Sequence, residues 1–186
     1  MPKIIEFQTK RLRLRQWRRS DRDPFFQLSS DPVVMEYFPD PLDREASDAM
    51  AERCERLIAE RGWGLWAVEI PGEADFIGFV GLHIPSADLP FKPCVEIGWR
   101  LAKQFWGNGY ATEAANGALE VAFQTLGLEE IVSFTSLLNQ RSQAVMERLG
   151  MSRTTDTFMH PAVPLESPLR EHCLYRLSKE RWLKQK

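Results

Sequence analysis

Residues 104–112, QFWGNGYAT, place two glycines between a strand-like run and a long stretch of helix formers. A backbone that turns from strand to helix through glycine comes close to whatever lies in the bend and points several N–H groups outward. The helix start adds partial positive charge, so the bend suits a pyrophosphate without needing a lysine. A tight turn that holds nothing is the other reading of the glycines alone. The same bend constrains topology. Upstream, Gly64–Ile70 and Phe76–Ile84 read as strands joined by the Pro71-Gly72-Glu73 turn, an antiparallel hairpin. A strand at Cys94–Leu101, the bend, a helix from Gly109 to Leu126 and a strand at Glu130–Thr135 then make one βαβ-like step. Antiparallel strands followed by such a step predict a single mixed α/β sheet.

The remaining segments fit that plan. In RLRLRQW (11–17) Leu12 and Leu14 point one way and Arg11, Arg13 and Arg15 the other, the period of a half-buried strand. Ser20 and Asp21 offer caps for a short helix to Ser29. A second helix starts near Asp43, shows Ala46, Met50, Leu57 and Ile58 on an apolar face, and stops at Gly62. Pro85–Pro93 is a loop, Asn139–Leu149 a helix ended by Gly150, and Cys173–Leu177 a final strand.

At 186 residues, with 44% hydrophobic and 27% charged side chains, the chain suits one domain, 1–186, with one core. A net charge of -2 argues against a nucleic-acid binder, and the arginine run 10–22 reads first as a solvated face or an ion-pair network. The start MPKIIEFQTK lacks an apolar leader core and no window matches a membrane span, so neither export nor membrane attachment is expected. Cys54, Cys94 and Cys173 have no metal-ligand spacing and read as reduced thiols of a cytoplasmic protein; His83, His160 and His172 are unclustered, so no metal is expected.

Two nucleotide-binding patterns compete for the bend. The P-loop GxxxxGK[ST] does not occur. The dinucleotide pattern GxGxxG is met by Gly107 and Gly109, with Glu129 at a suitable distance, but Thr112 stands at the third glycine and the upstream strands are antiparallel. A dinucleotide-binding module stays open as a minor alternative.

Gln104, Gly107, Gly109 and Ala111 together resemble the acetyl-CoA motif of the GNAT superfamily of N-acyltransferases. Further segments stand in the order expected of its RimJ/RimL-type branch: TKRLRLR (9–15), DPVVM (31–35), GLWAV (64–68), EIGW (96–99), Asn139 with Ser142 and RLGM (148–151), and His160-Pro161 followed by PLREHCLYRL (168–177). The resemblance spans nearly the whole chain. It implies the GNAT fold, a mixed and mostly antiparallel sheet flanked by helices, and acetyl transfer from acetyl-CoA to a primary amine. The acceptor is a protein N-terminus or a small molecule, and an exposed strand edge makes a homodimer reasonable. A non-catalytic acyl-CoA sensor on the same fold is the other reading.

The chemistry needs an amine stripped of its proton, a donor for the tetrahedral oxyanion and a proton for the departing thiolate. Glu96 is the candidate base; its rival role is a partner for Arg100 or Arg176. The resemblance puts coenzyme A along Ile97, Trp99, Leu101, Gln104, Trp106, Gly107, Asn108, Gly109, Tyr110, Ala111 and Thr112, with a backbone N–H near Ile97–Trp99 facing the oxyanion. It assigns Asn139 to the pantetheine arm, with helix capping as a role the side chain can combine. Where many relatives carry a tyrosine acid this chain has Met146, so Ser142 or a water is left to protonate the thiolate. His160 is the histidine placed for proton relay. Tyr37, Phe38, Trp63, Trp66 and Phe105, with His83, are candidates for the acceptor pocket, against core packing for Trp66. Cys94 has no activating histidine in the pattern, so direct transfer in a ternary complex is expected.

Overall fold

The computed structural model describes residues 2–186. Its strands are β1 (Phe7–Gln8), β2 (Arg13–Arg15), β3 (Leu65–Ile70), β4 (Ala74–His83), β5 (Glu96–Leu101), β6 (Glu130–Ser136), β7 (Ser152–Met159) and β8 (Glu171–Ser178). The helices are α1 (Arg22–Ser30), α2 (Arg44–Arg61), α3 (Tyr110–Glu120), α4 (Gln140–Arg148) and α5 (Lys179–Lys184). The strands form one sheet in the order β1-β2-β3-β4-β5-β6-β8-β7. Every neighbouring pair is antiparallel except β5 with β6, which the α3 crossover makes parallel. The mixed sheet read from the sequence is therefore the sheet observed. β1, β7 and α5 are additions: β1 has two residues, and β7 (SRTTDTFM) is too polar to show a buried face.

Two local readings need correction. Arg15 does not sit on a solvated face; it is 1% exposed, donating to Asp21 at 2.8 and 2.9 Å and to Glu69 at 2.7 Å. Asp21 stands at the N-cap position of α1 as expected, but its side chain makes no capping bond there: the carboxylate accepts from Arg15 and from the Arg18 N–H. The ion-pair reading of the basic run holds there. On α2, Asp43 caps the first turn by accepting from the Ala46 N–H at 2.8 Å, and Gly62 closes the helix at φ 84°. The face it buries is Ser47, Ala51, Cys54 and Ile58, turned from the predicted stripe, so Ala46 is exposed.

Strand alternation divides the centre of the sheet. Phe79, Gly81 and His83 of β4 pair with Arg100, Gly98 and Glu96 of β5, and this face lies under α1 and α2, where Arg100 reaches Ser29 and Met50. Trp66, Val80 and Trp99 share the other face, where Phe7 joins Trp66 to α3 at Gly117. β5 and β6 pair at a single register, Glu96 with Val132, and the Val132 N–H donates to the Val95 carbonyl at 3.0 Å. Beyond that point the two strands part. No helix among the described residues is long and apolar enough to cross a membrane.

Candidate active site

A cleft of about 1330 Å³ occupies the gap between β5 and β6. The glycine bend forms one end. Gly107 and Gly109 both adopt φ 77°, a left-handed conformation that only glycine takes readily, and a Cβ on Gly107 would meet nothing within 4 Å. The first backbone N–H to find a partner after the bend is that of Glu113, which donates to Gly109 at 2.9 Å. From Gly107 to Thr112 no N–H donates to another group of the described chain. Such a row at a helix start is an anion cradle by geometry and by partial charge. Arg11 stands beside it, held to Glu113 at 2.6 Å and over the Tyr110 ring.

Of the predicted cofactor residues, Ile97, Trp99, Leu101, Trp106, Gly107, Gly109, Tyr110, Ala111, Thr112, Asn139 and Ser142 line the cleft. Gln104 and Asn108 are exposed and do not line it; the Asn108 amide instead braces the turn on the Trp106 carbonyl at 3.2 Å. Asn139 is the N-cap of α4. Its Oδ1 accepts from the Ser142 N–H at 3.1 Å, while Nδ2 donates to Thr135 Oγ1 and to Ser142 Oγ at 3.0 and 3.1 Å. That second bond aims the serine hydroxyl. Met146 is buried in the wall of the same cleft.

Glu96 is 9% exposed and its Oε2 lies 2.7 Å from His83 Nε2. The partner proposed from sequence, Arg100 or Arg176, is replaced: Arg176 binds Glu130, and Arg100 binds no carboxylate among the described residues. The register of β4 on β5 sets His83 directly opposite Glu96. His160, in the turn after β7, also lines the cleft; burial pulls its pKa down, and the Glu96 charge partly opposes this. Behind it His172 packs at 4.9 Å between ring centroids, its Nδ1 on the Arg170 carbonyl at 3.0 Å. Burial lowers the His172 pKa to about 4, a carbonyl bond opposes the shift and His160 adds to it. A histidine kept neutral by folding binds its proton in the unfolded chain first. Stability is thus complete above about pH 6.5 and falls as pH drops toward about 4, by roughly 2 kcal/mol between about pH 7 and about pH 5. The midpoint of thermal unfolding against pH measures it, and a His172→Gln variant is expected to flatten the slope.

The acceptor candidates divide. Tyr37 and Phe38, between α1 and α2, line the cleft with His83 and Phe105. Trp63 and Trp66 do not. Trp66 is fully buried, packs edge-on to Phe7 and donates to the Ile5 carbonyl at 2.8 Å; Trp63 is half-buried beside Arg61. Arg141, which sequence reasoning passed over, covers Tyr37 and Trp106 at 5.2 and 4.7 Å and pairs with Glu36. Cys94 is no nucleophile in this setting, since burial and the Glu96 charge raise its pKa.

A bend of free amides, a parted parallel pair and a carboxylate in one cleft define an acyl-transfer scaffold. Residues 11–152 match the family model described as an acetyltransferase (GNAT) domain; the chain belongs to that family and is an acyltransferase with the GNAT fold. FsC-acetyl coenzyme A-N(2)-transacetylase of Aspergillus fumigatus is 30% identical over 183 residues, spanning 95% of this chain and 77% of that protein. The crystal structure of a GNAT-family acetyltransferase from Bacillus anthracis superposes with a TM-score of 0.78 at 25% identity, over 95% of this chain and 99% of that one. Spermidine N-acetyltransferase from Vibrio cholerae, solved with CoA and spermine, shares the fold at a TM-score of 0.72 and 20% identity, over 93% and 98% of the two chains. The dinucleotide-module reading is overturned: the sheet is not a repeat of parallel βαβ units.

Proposed function

We propose that this single-domain protein transfers the acetyl group of acetyl-CoA directly to a primary amine, as a cytoplasmic member of the RimJ/RimL-like branch. The observation that carries the reading is the continuity of one cleft from the free amides of residues 107–112, past the parting of β5 and β6, to Glu96. The bend would hold the diphosphate, and the open strand edges would take the pantetheine arm as a short extra strand. Because the Val95 carbonyl faces β6, alternation turns the backbone groups of Ile97 and Trp99 the same way. The β5–β6 pairing is confined to the register of Glu96 with Val132, so the Trp99 N–H, beyond it where the strands have parted, is our assignment for the oxyanion.

Glu96, steadied by His83, takes the proton of the substrate ammonium; the free amine attacks the thioester carbonyl. Collapse of the tetrahedral adduct breaks the C–S bond and releases the proton left on nitrogen to solvent, while Ser142 or a water gives a proton to sulfur and regains one from solvent. The Ser142 hydroxyl accepts from Asn139, which leaves its own proton free to donate. The acceptor is a protein N-terminus or a small-molecule amine. A panel of amines and short peptides with acetyl-CoA, read by free-thiol release and product mass, tests the reading. The expected result is one acetylated amine per thiol, with initial-rate lines that intersect. Thiol release without acetylated amine, or parallel lines from an acetyl-enzyme, would overturn direct transfer.

A further inference from the structure

Among the described residues, Arg100 is a buried guanidinium with no counter-charge. It lies on β5 at 8% exposure, and none of the ion pairs among the described residues includes it. Nη1 donates to Ser29 Oγ at 3.3 Å and approaches Met50 Sδ at 3.9 Å, while Nε is buried without a partner. The other deeply buried arginine, Arg15, is satisfied by Asp21 and Glu69. Burial alone drags the Arg100 pKa down to about 10, opposed only by the Cys54 thiol. An unpaired buried cation is costly to keep, and a hydrophobic residue would fill this position at less cost.

Its surroundings resemble a binding site more than a structural brace. Arg100 lines the same cleft as Glu96 and stands on the same face of β5, with Gly98 between them. A Cβ on Gly98 would meet nothing within 4 Å, so the floor between the two charged groups is open. At about 3.3 Å per residue, Arg100 lies roughly 7 Å along the strand from Gly98 and roughly 13 Å from Glu96. Phe38 and Phe79 lie against the guanidinium, with Cζ 4.4 and 5.3 Å from their ring centroids, within the range of a cation–π contact.

We propose that Arg100 receives a carboxylate carried by the acceptor, so that the substrates are small amines bearing a carboxylate several bonds from the nitrogen. The assignment rests on the acetyl-transfer reading above, with the amine at Glu96 and the anion at Arg100. A guanidinium offers a planar fork that matches one carboxylate. One cation, one hydroxyl and two phenyl rings suit a monoanion; the second charge of a phosphate would find no partner, and a polyamine would meet like charge.

The test uses α-amino acids and ω-amino acids of increasing length, from β-alanine to aminohexanoate, each against its own carboxamide, with thiol release as readout. The preferred carboxylate is expected to exceed its carboxamide about 100-fold in kcat/KM. Arg100→Met, which keeps length while removing the unpaired charge, is expected to retain the fold and bring that ratio within about 3-fold. Equal rates for the two forms, or a ratio that survives Arg100→Met, overturns the proposal while leaving acetyl transfer intact. A binding readout needs no turnover: with CoA present, the N-acetylated carboxylates should raise the Tm of the wild-type protein, their carboxamides should not, and Arg100→Met should abolish the difference. A Tm response of this kind with no thiol release from any amine supports the carboxylate site and removes the acetyl-transfer reading. No differential Tm response and no rate preference together remove the site.

Discussion

Glu96→Gln is expected to lower kcat about 100- to 1000-fold near neutral pH and progressively less as pH rises. The change is isosteric and leaves a hydrogen-bonding group facing His83, 2.7 Å from the native carboxylate. It removes the ability to take a proton, together with the negative charge felt by His160 and Cys94. An alkyl amine is almost wholly protonated near pH 7, so a variant without a base depends on the small neutral fraction, which grows tenfold per pH unit. The variant's rate should therefore climb with pH well past the point where the wild-type rate levels off. The loss corresponds to about 3–4 kcal/mol of transition-state stabilisation. Because the carboxylate and imidazole touch, either group is placed to take the substrate proton, and His83→Gln is the necessary companion. If Glu96→Gln tracks the wild-type profile while His83→Gln collapses it, the imidazole is the base and the glutamate its support.

The glycine bend was legible because its residues have few alternatives. Two left-handed positions within three residues, ahead of a helix, call for glycine, and glycine stands at both. The dual role read for Asn139 was half visible as well, since an asparagine before a helix is a cap by local chemistry, and it caps α4 here. What the sequence hid depends on register and sidedness. His83 and Glu96 face each other only because β4 pairs with β5 from Gly78–Leu101 to His83–Glu96, and the long intervening loop (84–95) conceals that alignment. The rise along the strand rules out a close pair between Glu96 and Arg100, which share a face but lie roughly 13 Å apart. Trp66 shows the limit of composition: an indole on a central strand serves either face equally well, and here it anchors the N-terminal segment through Ile5. β7 was missed because its side chains are mostly polar and exposed, and its pairing with β8 supplies what its sequence does not.

Gly109→Asp is expected to weaken coenzyme A binding about 100-fold or more in calorimetric titration, while the fold survives. The residue caps α3 at φ 77°, so any side chain there is strained by about 1–2 kcal/mol, though aspartate tolerates this backbone better than most. Its charge at the helix start is favourable to the helix itself. The same charge sits among the free N–H groups of residues 107–112, where it repels a diphosphate and competes for those donors. Gly109→Ala separates the two effects, because it carries the strain without the charge. It should lower the Tm by a similar amount yet weaken coenzyme A by no more than about 10-fold. Salt provides the second control: at about 1 M the screening length shrinks to about 3 Å, so the electrostatic part of the aspartate deficit should shrink while the alanine deficit holds. Gly109 has space around it, its nearest neighbour being the Arg11 guanidinium at 3.7 Å, so a fold-wide collapse is not the expected cause of any loss. Wild-type affinity in the aspartate variant would mean that the outward amides hold no diphosphate, and the bend would then be a turn and nothing more.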